Sequence, residues 1–249
     1  MISLNGISKT FSKGSPNEVN LLINFNLEIN QNDFIIVVGS NGSGKSTLLN
    51  ILAGVVRINE GSIVLDEKDI TQSKDYKRSR WLARIFQNPL AGTAPDLSIL
   101  ENFRLASIRT GSKGLRIGTD KKFRAKVRDR IAVLNLGLEN KLDQEMGSLS
   151  GGQRQALALL MAIMDETRLL LLDEPTAALD PRTSELIMNL ADKVIKEYSL
   201  TALLVTHQIK DVVNFGNRVI QMKEGKIIRD LRKTEKEKLN IAEINEWFN

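Results

Sequence analysis

Residues 39–46 read Gly-Ser-Asn-Gly-Ser-Gly-Lys-Ser, which fits the glycine-rich pattern GxxxxGK[ST] at every fixed position. The glycines allow a tight backbone turn in which successive N–H groups point inward at an anion, with no Cβ atoms in the way. The lysine adds a full positive charge, and the final serine offers a hydroxyl that suits Mg²⁺. This spacing predicts a loop that holds the phosphates of a nucleotide.

The segments on either side of this loop favour the same chemistry. Residues 34–38 form a short β-branched and aromatic run typical of a strand buried on both faces, and residues 47–52 follow a helical pattern. A helix N-terminus carries partial positive charge, which adds to that of Lys45 at the β- and γ-phosphates. The residues predicted to hold the phosphates are Gly39, Ser40, Asn41, Gly42, Ser43, Gly44, Lys45, Ser46 and Thr47, with Ser46 also a ligand of Mg²⁺.

Two adjacent carboxylates, Asp173 and Glu174, follow four leucines at 169–172. Alone, the leucines would also fit a helix with a solvated acidic end. Beside a phosphate loop they favour a buried strand, because ligands of open parallel sheets lie at the carboxyl ends of the strands. Asp173 is then predicted to hold Mg²⁺ through water, and Glu174 to act as the general base that polarises an attacking water.

Ser150-Gly151-Gly152-Gln153 opens an apolar helical pattern and forms a second candidate anion site. One nucleotide does not need two such sites. The economical interpretation is that the second site serves a nucleotide bound to another copy of the chain. The sequence therefore predicts a head-to-tail dimer with nucleotide in its interface.

The composition excludes several other kinds of site. The 249 residues include no Cys and one His, so disulfides, thiolate zinc sites, Cys nucleophiles and multi-His metal sites are excluded within one chain. Apolar residues make up 42% and charged residues 26%, as in ordinary globular proteins. No apolar run approaches the roughly 18 residues that span a bilayer, and the N-terminus shows no signal-peptide pattern.

Hydrophobic patterning predicts the elements that position these residues. The first 30 residues alternate in polarity around a turn at 14–17, which favours an antiparallel sheet with one solvated face. Buried-strand runs at 34–38, 169–172 and 202–205, each followed by helix-like sequence, favour a parallel α/β core. Further predictions are a hairpin at 219–228, helices at 99–107 and 122–134 separated by a glycine-rich stretch at 111–118, and a short helix in the tail.

The phosphate loop, Leu-Ser-Gly-Gly-Gln at 149–153, Asp173-Glu174 and the later His207 occur in an order that resembles the nucleotide-binding subunit of an ATP-binding-cassette (ABC) transporter. The resemblance covers about residues 1–230. It implies an α/β P-loop NTPase core, an N-terminal antiparallel β-subdomain and a helical subdomain inserted at about 90–160. Residues 231–249 would form a short helical tail.

The resemblance also implies roles for single residues. Phe11 falls where an aromatic ring stacks on adenine, although a core position would also suit a phenylalanine. Gln87 matches the glutamine that contacts Mg²⁺ and the attacking water and senses the membrane partner. His207 matches the histidine that contacts the γ-phosphate.

The remaining implied roles belong to the dimer interface. Ser150, Gly151 and Gly152, with Gln153 in the same motif, would reach the γ-phosphate held by the other copy. Asp180 matches the aspartate that couples the two sites.

One cassette without a membrane segment implies a separate permease, which would dock near residues 87–107 and the helical subdomain. The segment 88–95 resembles an importer group whose solutes are amino-acid-like, which also implies a solute-binding protein. The cofactors implied are ATP and Mg²⁺, the location is the inner face of the cell membrane, and no nucleic-acid partner is expected.

The basic stretch 121–130 would contact permease or lipid headgroups, or would simply be a solvated helix face.

Three other classes of ATPase share such a cassette. DNA-repair and chromosome-structuring ATPases split it with coiled coils or zinc modules, and this chain has neither heptad arms nor Cys. Ribosome-associated members join two cassettes in one chain. A partner ATPase of an assembly machine, such as one for iron–sulfur clusters, is only weakly opposed by the sequence.

Overall fold

The computed structural model describes residues 1–110 and 118–247. The strands are β1 Ile2–Phe11, β2 Val19–Ile29, β3 Phe34–Val38, β4 Glu60–Leu65, β5 Lys68–Asp69, β6 Leu82–Ile85, β7 Leu169–Asp173, β8 Thr201–Val205, β9 Arg218–Lys223 and β10 Lys226–Arg232. The helices are α1 Lys45–Ala53, α2 Asp75–Arg78, α3 Ile99–Ala106, α4 Lys121–Ala132, α5 Gly151–Ala162, α6 Pro181–Glu197, α7 Ile209–Asn214, α8 Lys233–Lys236 and α9 Ile241–Glu246. Two compact units result, residues 1–79 with the chain from 195 onward, and residues 80–194.

The first unit contains the predicted N-terminal antiparallel sheet, with strand order β2-β1-β4-β5. Alternate residues of β1 and β2 face the core, and Leu4 on β1 lies opposite Leu27 on β2. The predicted alternation is confirmed for the end of β2, where Phe25, Leu27 and Ile29 are buried. It is wrong at the start of β2, where Leu22 is buried and Ile23 is 54% exposed, because bulges shift the register between β1 and β2. β4 and β5 were not predicted; β4 contains a glycine and buries only Ile63, so its pattern is weak.

The same unit contains a second sheet in which β3 lies between β8 and β9 and runs parallel to both. All residues of β3 are buried, which explains its continuous apolar sequence. β10 pairs antiparallel with β9 and completes the predicted hairpin. Its turn residues, Glu224 and Gly225, have φ of 48° and 73°, as a two-residue hairpin turn with the right twist requires.

The second unit is built on β6 and β7, which run parallel with Ile85 opposite Leu172. The predicted helices are present as α3 and α4, and α5 buries every residue from Gln155 to its last turn. The unit starts at Arg80, ahead of the insertion expected at about 90, because β6 and β7 cluster with these helices. The 90–160 subdomain stays a prediction, and the glycine-rich stretch lies outside the described residues except for Gly118.

The predicted tail helix is present as α9, which belongs to the first unit. Ile244 and the following Trp247 are buried, and the Gln221 side chain on β9 donates to the Trp247 carbonyl at 3.4 Å. The tail is thus anchored to the sheet through its apolar residues. Residues 248–249 lie outside the described range.

Arg78 is buried although it carries a charge, because its guanidinium closes the C-terminus of α1. It donates to the carbonyls of Ile51 at 2.8 Å and Leu52 at 2.9 Å in the last turn of α1, where the Ile51 carbonyl also accepts from the Gly54 amide. It also donates to the Ile70 carbonyl at 2.7 Å. Burial lowers the pKa of Arg78, and its guanidinium N–H groups are taken up by backbone carbonyls.

We expect Arg78→Met to lower the free energy of unfolding by about 3 kcal/mol, because several buried carbonyls lose a charged donor. Lys77→Met, at an exposed position of the same helix, should change it by less than about 0.5 kcal/mol. Urea denaturation of both variants measures the difference. Equal stability of the two variants would contradict the capping role.

Candidate functional site

The predicted phosphate loop adopts a conformation that only glycine accommodates readily. Gly39, Gly42 and Gly44 have φ of 146°, 79° and 100°, in the region that side chains disfavour. A Cβ atom at Gly39 would lie 2.1 Å from the carbonyl oxygen of Met222, so the backbone here passes against β9. The loop is shaped by close backbone packing as well as by turn preference.

The loop ends where α1 begins, and the N-terminus of α1 has no side-chain cap, because the capping residue is Gly44. The N–H groups of its first turn remain available to an anion. Lys45 is buried, and its ammonium donates to the carbonyls of Gly39 at 2.7 Å and Ser40 at 3.0 Å. The Ser43 hydroxyl is buried without a hydrogen-bond partner in the described structure, while Ser46 is exposed.

His207 follows β8 and stands level with the phosphate loop. Val205 on β8 lies opposite Val37 on β3, and His207 and Gly39 each come two residues later along parallel strands. His207 is exposed, and the buried Thr206 before it donates to Asp211 at 2.6 Å and accepts from the Gln208 amide at 3.1 Å. Burial raises the pKa of Asp211. These contacts fix the turn that carries His207.

Phe11 lies at the end of β1, in the same unit as the phosphate loop. Its side chain is 37% exposed, so the alternative of a core phenylalanine is wrong. The Lys9 ammonium lies 4.8 Å from the ring centroid, a cation–π contact at the protein surface.

In the second unit, Gln87 and Glu174 come level at the ends of neighbouring parallel strands. Each lies two residues beyond the matched pair Ile85 and Leu172. Gln87 is exposed and Glu174 half-buried. Glu174 has φ of 45°, which costs a non-glycine residue on the order of 1 kcal/mol and is common at functional sites.

Asp173 is engaged by an arginine that the sequence did not single out. Nη2 of Arg84 on β6 lies 2.5 Å from Oδ2 of Asp173, and the two side chains are 11% and 15% exposed. Arg84 also lies 4.8 Å from the Phe86 ring centroid. No group of three or more His, Asp or Glu residues that could hold a metal occurs in residues 1–110 and 118–247. A magnesium ion held by Asp173 would therefore need phosphate oxygens and water as further ligands, as this ion usually does.

Ser150 and Gln153 form a reciprocal cap at the start of α5. The Ser150 hydroxyl accepts from the Gln153 amide at 3.3 Å, and the Gln153 side chain accepts from the Ser150 amide at 3.1 Å. Two residues of the predicted second anion site therefore also have a structural role. Gly151 and Gly152 lie in the first turn between them.

Asp180 likewise caps a helix, because its carboxylate accepts from the Thr183 amide at 3.1 Å at the start of α6. Hydrogen bonds from Thr183 lower the pKa of Asp180. Capping accounts for this aspartate without a second site, and its coupling role stays a prediction.

The described structure thus places the phosphate loop, Phe11 and His207 in one unit. The other unit contains Gln87, Asp173, Glu174, Asp180 and the segment 150–153. The predicted site residues are therefore divided between the two units.

A model of the ABC transporter family matches residues 22–177. The chain belongs to the ABC transporter family.

It is a nucleotide-binding subunit of that family, with the α/β cassette fold. It is 39% identical to a tyrosine transport ATP-binding protein of Clostridioides difficile over 253 aligned positions, covering 100% of this chain and 98% of the relative. It is 31% identical to an energy-coupling factor transporter ATP-binding protein of Clostridium tetani, covering 92% and 78%.

Solved structures agree with this assignment. An ABC cassette determined as a dimer in a post-hydrolysis state with ADP and Pi is 32% identical, with a TM-score of 0.79 over 94% of this chain and 99% of that one. The residues described in the present cassette include no helix that is both long and apolar enough to cross a membrane.

The two glycines at the start of α5 should respond differently to substitution. A Cβ at Gly152 would lie 2.2 Å from the Thr183 methyl group, whereas one at Gly151 would make ordinary contact with Leu179 at 3.4 Å. We expect Gly152→Ala to destabilise the cassette by about 1–3 kcal/mol through overpacking. Gly151→Ala should be neutral or stabilising by up to about 1 kcal/mol, because alanine favours a helix.

Adding Thr183→Ser to Gly152→Ala removes the clashing methyl group and should restore most of the lost stability. Thermal unfolding of the variants measures this. Adding Thr183→Ser to Gly151→Ala should not raise stability, because Gly151→Ala creates no clash with Thr183. A Gly152→Ala variant as stable as Gly151→Ala would contradict a close contact between position 152 and the Thr183 methyl group.

Proposed function

We propose that this cassette hydrolyses ATP as a nucleotide-sandwich dimer and thereby energises solute import through a separate permease. One observation supports this most strongly. An uncapped helix N-terminus and a buried lysine follow β3, level with His207 at the end of the parallel neighbour β8. That arrangement suits a triphosphate, because N–H groups, a cation and an imidazole follow the carboxyl ends of two neighbouring strands.

In binding, the N–H groups of the phosphate loop and Lys45 would hold the β- and γ-phosphates. The exposed ring of Phe11 would stack on adenine. Nucleotide binding would draw Lys45 from the carbonyls of Gly39 and Ser40, to which it donates.

In hydrolysis, Glu174 would take a proton from the attacking water, with Gln87 and His207 orienting the water and the γ-phosphate. Gln87 and Glu174 lie at matched strand ends, which supports their acting on one water. Ser46, Asp173 and Gln87 would hold Mg²⁺, which when bound neutralises phosphate charge. Arg84 would keep the Asp173 carboxylate oriented by holding its Oδ2 atom.

The dimer would be completed by the second copy, whose Ser150, Gly151, Gly152 and Gln153 would reach the γ-phosphate. The α5 N-terminus provides the partial positive charge for this contact. Asp180 would couple the two sites. The relative solved as a dimer with ADP and Pi supports the arrangement.

The permease would dock near residues 87–107. The buried Asn102 pins this segment, since its side chain accepts from the Ala94 amide and donates to the carbonyls of Ala94 and Leu97 at 2.9 and 3.2 Å. Leu90 and Leu105 in this segment are 42% and 51% exposed, so both would be accessible to a partner. The cassette would sit on the inner face of the membrane. The tyrosine transport relative supports an aromatic amino acid as solute. A separate solute-binding protein would deliver it.

The test is Glu174→Gln, which keeps the size of the side chain and removes its basicity. We expect unchanged ATP affinity, hydrolysis reduced by about 100-fold or more, and an ATP-bound dimer that accumulates in sedimentation experiments. Glu166→Gln, an exposed carboxylate in the same unit, is the matched control and should hydrolyse ATP normally. Hydrolysis by Glu174→Gln at the rate of the control would exclude Glu174 as the base.

A further inference from the structure

Gln155 lies on the second turn of α5 and is buried to 1% exposure. Its side-chain nitrogen donates to the carbonyl of Phe86 at 3.1 Å and to that of Pro175 at 2.8 Å. Phe86 immediately precedes Gln87, and Pro175 immediately follows Glu174. One amide group therefore connects the loops that carry both residues.

The orientation of this amide is determined by its partners. Both neighbours are carbonyl oxygens, so the NH₂ group must face them and use both of its hydrogens. The Oε1 atom then lies buried with no donor among the residues that the structure describes. A buried acceptor without a partner lowers stability, which means that packing alone does not explain a glutamine here.

The position of Gln155 on α5 adds a third element to this connection. The same helix begins with Ser150, Gly151 and Gly152, one turn before Gln155. Because a helix is stiff over so short a length, a displacement of its N-terminus moves the Gln155 amide with it. Contact at the start of α5 would thus be felt at Gln87 and at Glu174.

We propose that Gln155 is a positioning residue that holds the Gln87 and Glu174 loops in register with the start of α5. It would act through the backbone carbonyls of Phe86 and Pro175, to which it donates. This inference rests on the proposed ATPase function for its effect on rate, while its effect on the two loops is independent of that function.

Hydrogen–deuterium exchange tests the connection without reference to activity. Gln155→Met keeps an unbranched side chain of similar volume and removes both donors. We expect faster exchange in peptides covering 84–90 and 173–179, with α4 unchanged. Gln155→Leu is the second variant should the first fail to fold. Gln144→Met is the matched control, because the Gln144 side chain donates to the Ser148 hydroxyl at 2.9 Å and, among the described residues, to neither of the two loops.

Steady-state kinetics of the same variants test the positioning role. We expect kcat to fall about 10- to 100-fold with KM for ATP nearly unchanged, since misplaced catalytic groups slow the reaction without weakening binding. Combining Gln155→Met with Gln87→Ala should lower kcat by less than the product of the single effects.

Unchanged exchange in both loops, or a kcat equal to that of the Gln144→Met control, would overturn the proposal. If the unsubstituted protein fails to hydrolyse ATP, the proposed function fails instead, and the exchange experiment still decides whether Gln155 holds the loops.

Discussion

The parallel register of neighbouring strands is the constraint on which the site depends. Val37 faces Val205 in one unit and Ile85 faces Leu172 in the other, so the residues that follow each strand come out level with those of its neighbour. Gly39 is thereby matched with His207, and Gln87 with Glu174. A slip of one residue in either pair would displace the residues that follow one strand by about 3.3 Å relative to those that follow its neighbour.

Local backbone chemistry, more than surface charge, suits the phosphate loop to an anion. The net charge of +5 is small for 249 residues. The glycine conformations of the phosphate loop, the uncapped start of α1 and the buried Lys45 concentrate positive potential at one point. In the other unit, Arg84 balances Asp173 and holds one of its oxygens, so the carboxylate is oriented by a cation of the chain itself.

Short-range sequence signals made most of the fold and the phosphate loop predictable. The phosphate loop, the all-buried β3, the buried leucines of β7, the β9–β10 hairpin and helices α3 and α4 follow from runs, turns and periodicity. Arg78, Arg84 and Gln155 could not be found in this way, because their partners are carbonyls or carboxylates distant in sequence or on unpredicted strands. Capping by Ser150 and Asp180 was predictable, because each is a preferred capping residue placed three positions before the amide that donates to it.

The central claim is that each nucleotide site is shared between two copies of the chain. Mixing two inactive variants tests this most directly: Lys45→Met, which disables the phosphate loop, and Ser150→Asp, which keeps a good helix cap but places a negative charge against the γ-phosphate. A mixed dimer would contain one site with both defects and one intact site. The mixture should therefore hydrolyse ATP well above the sum of the separate variants. Activity no higher than that sum, from chains shown to form mixed dimers, would contradict a shared site.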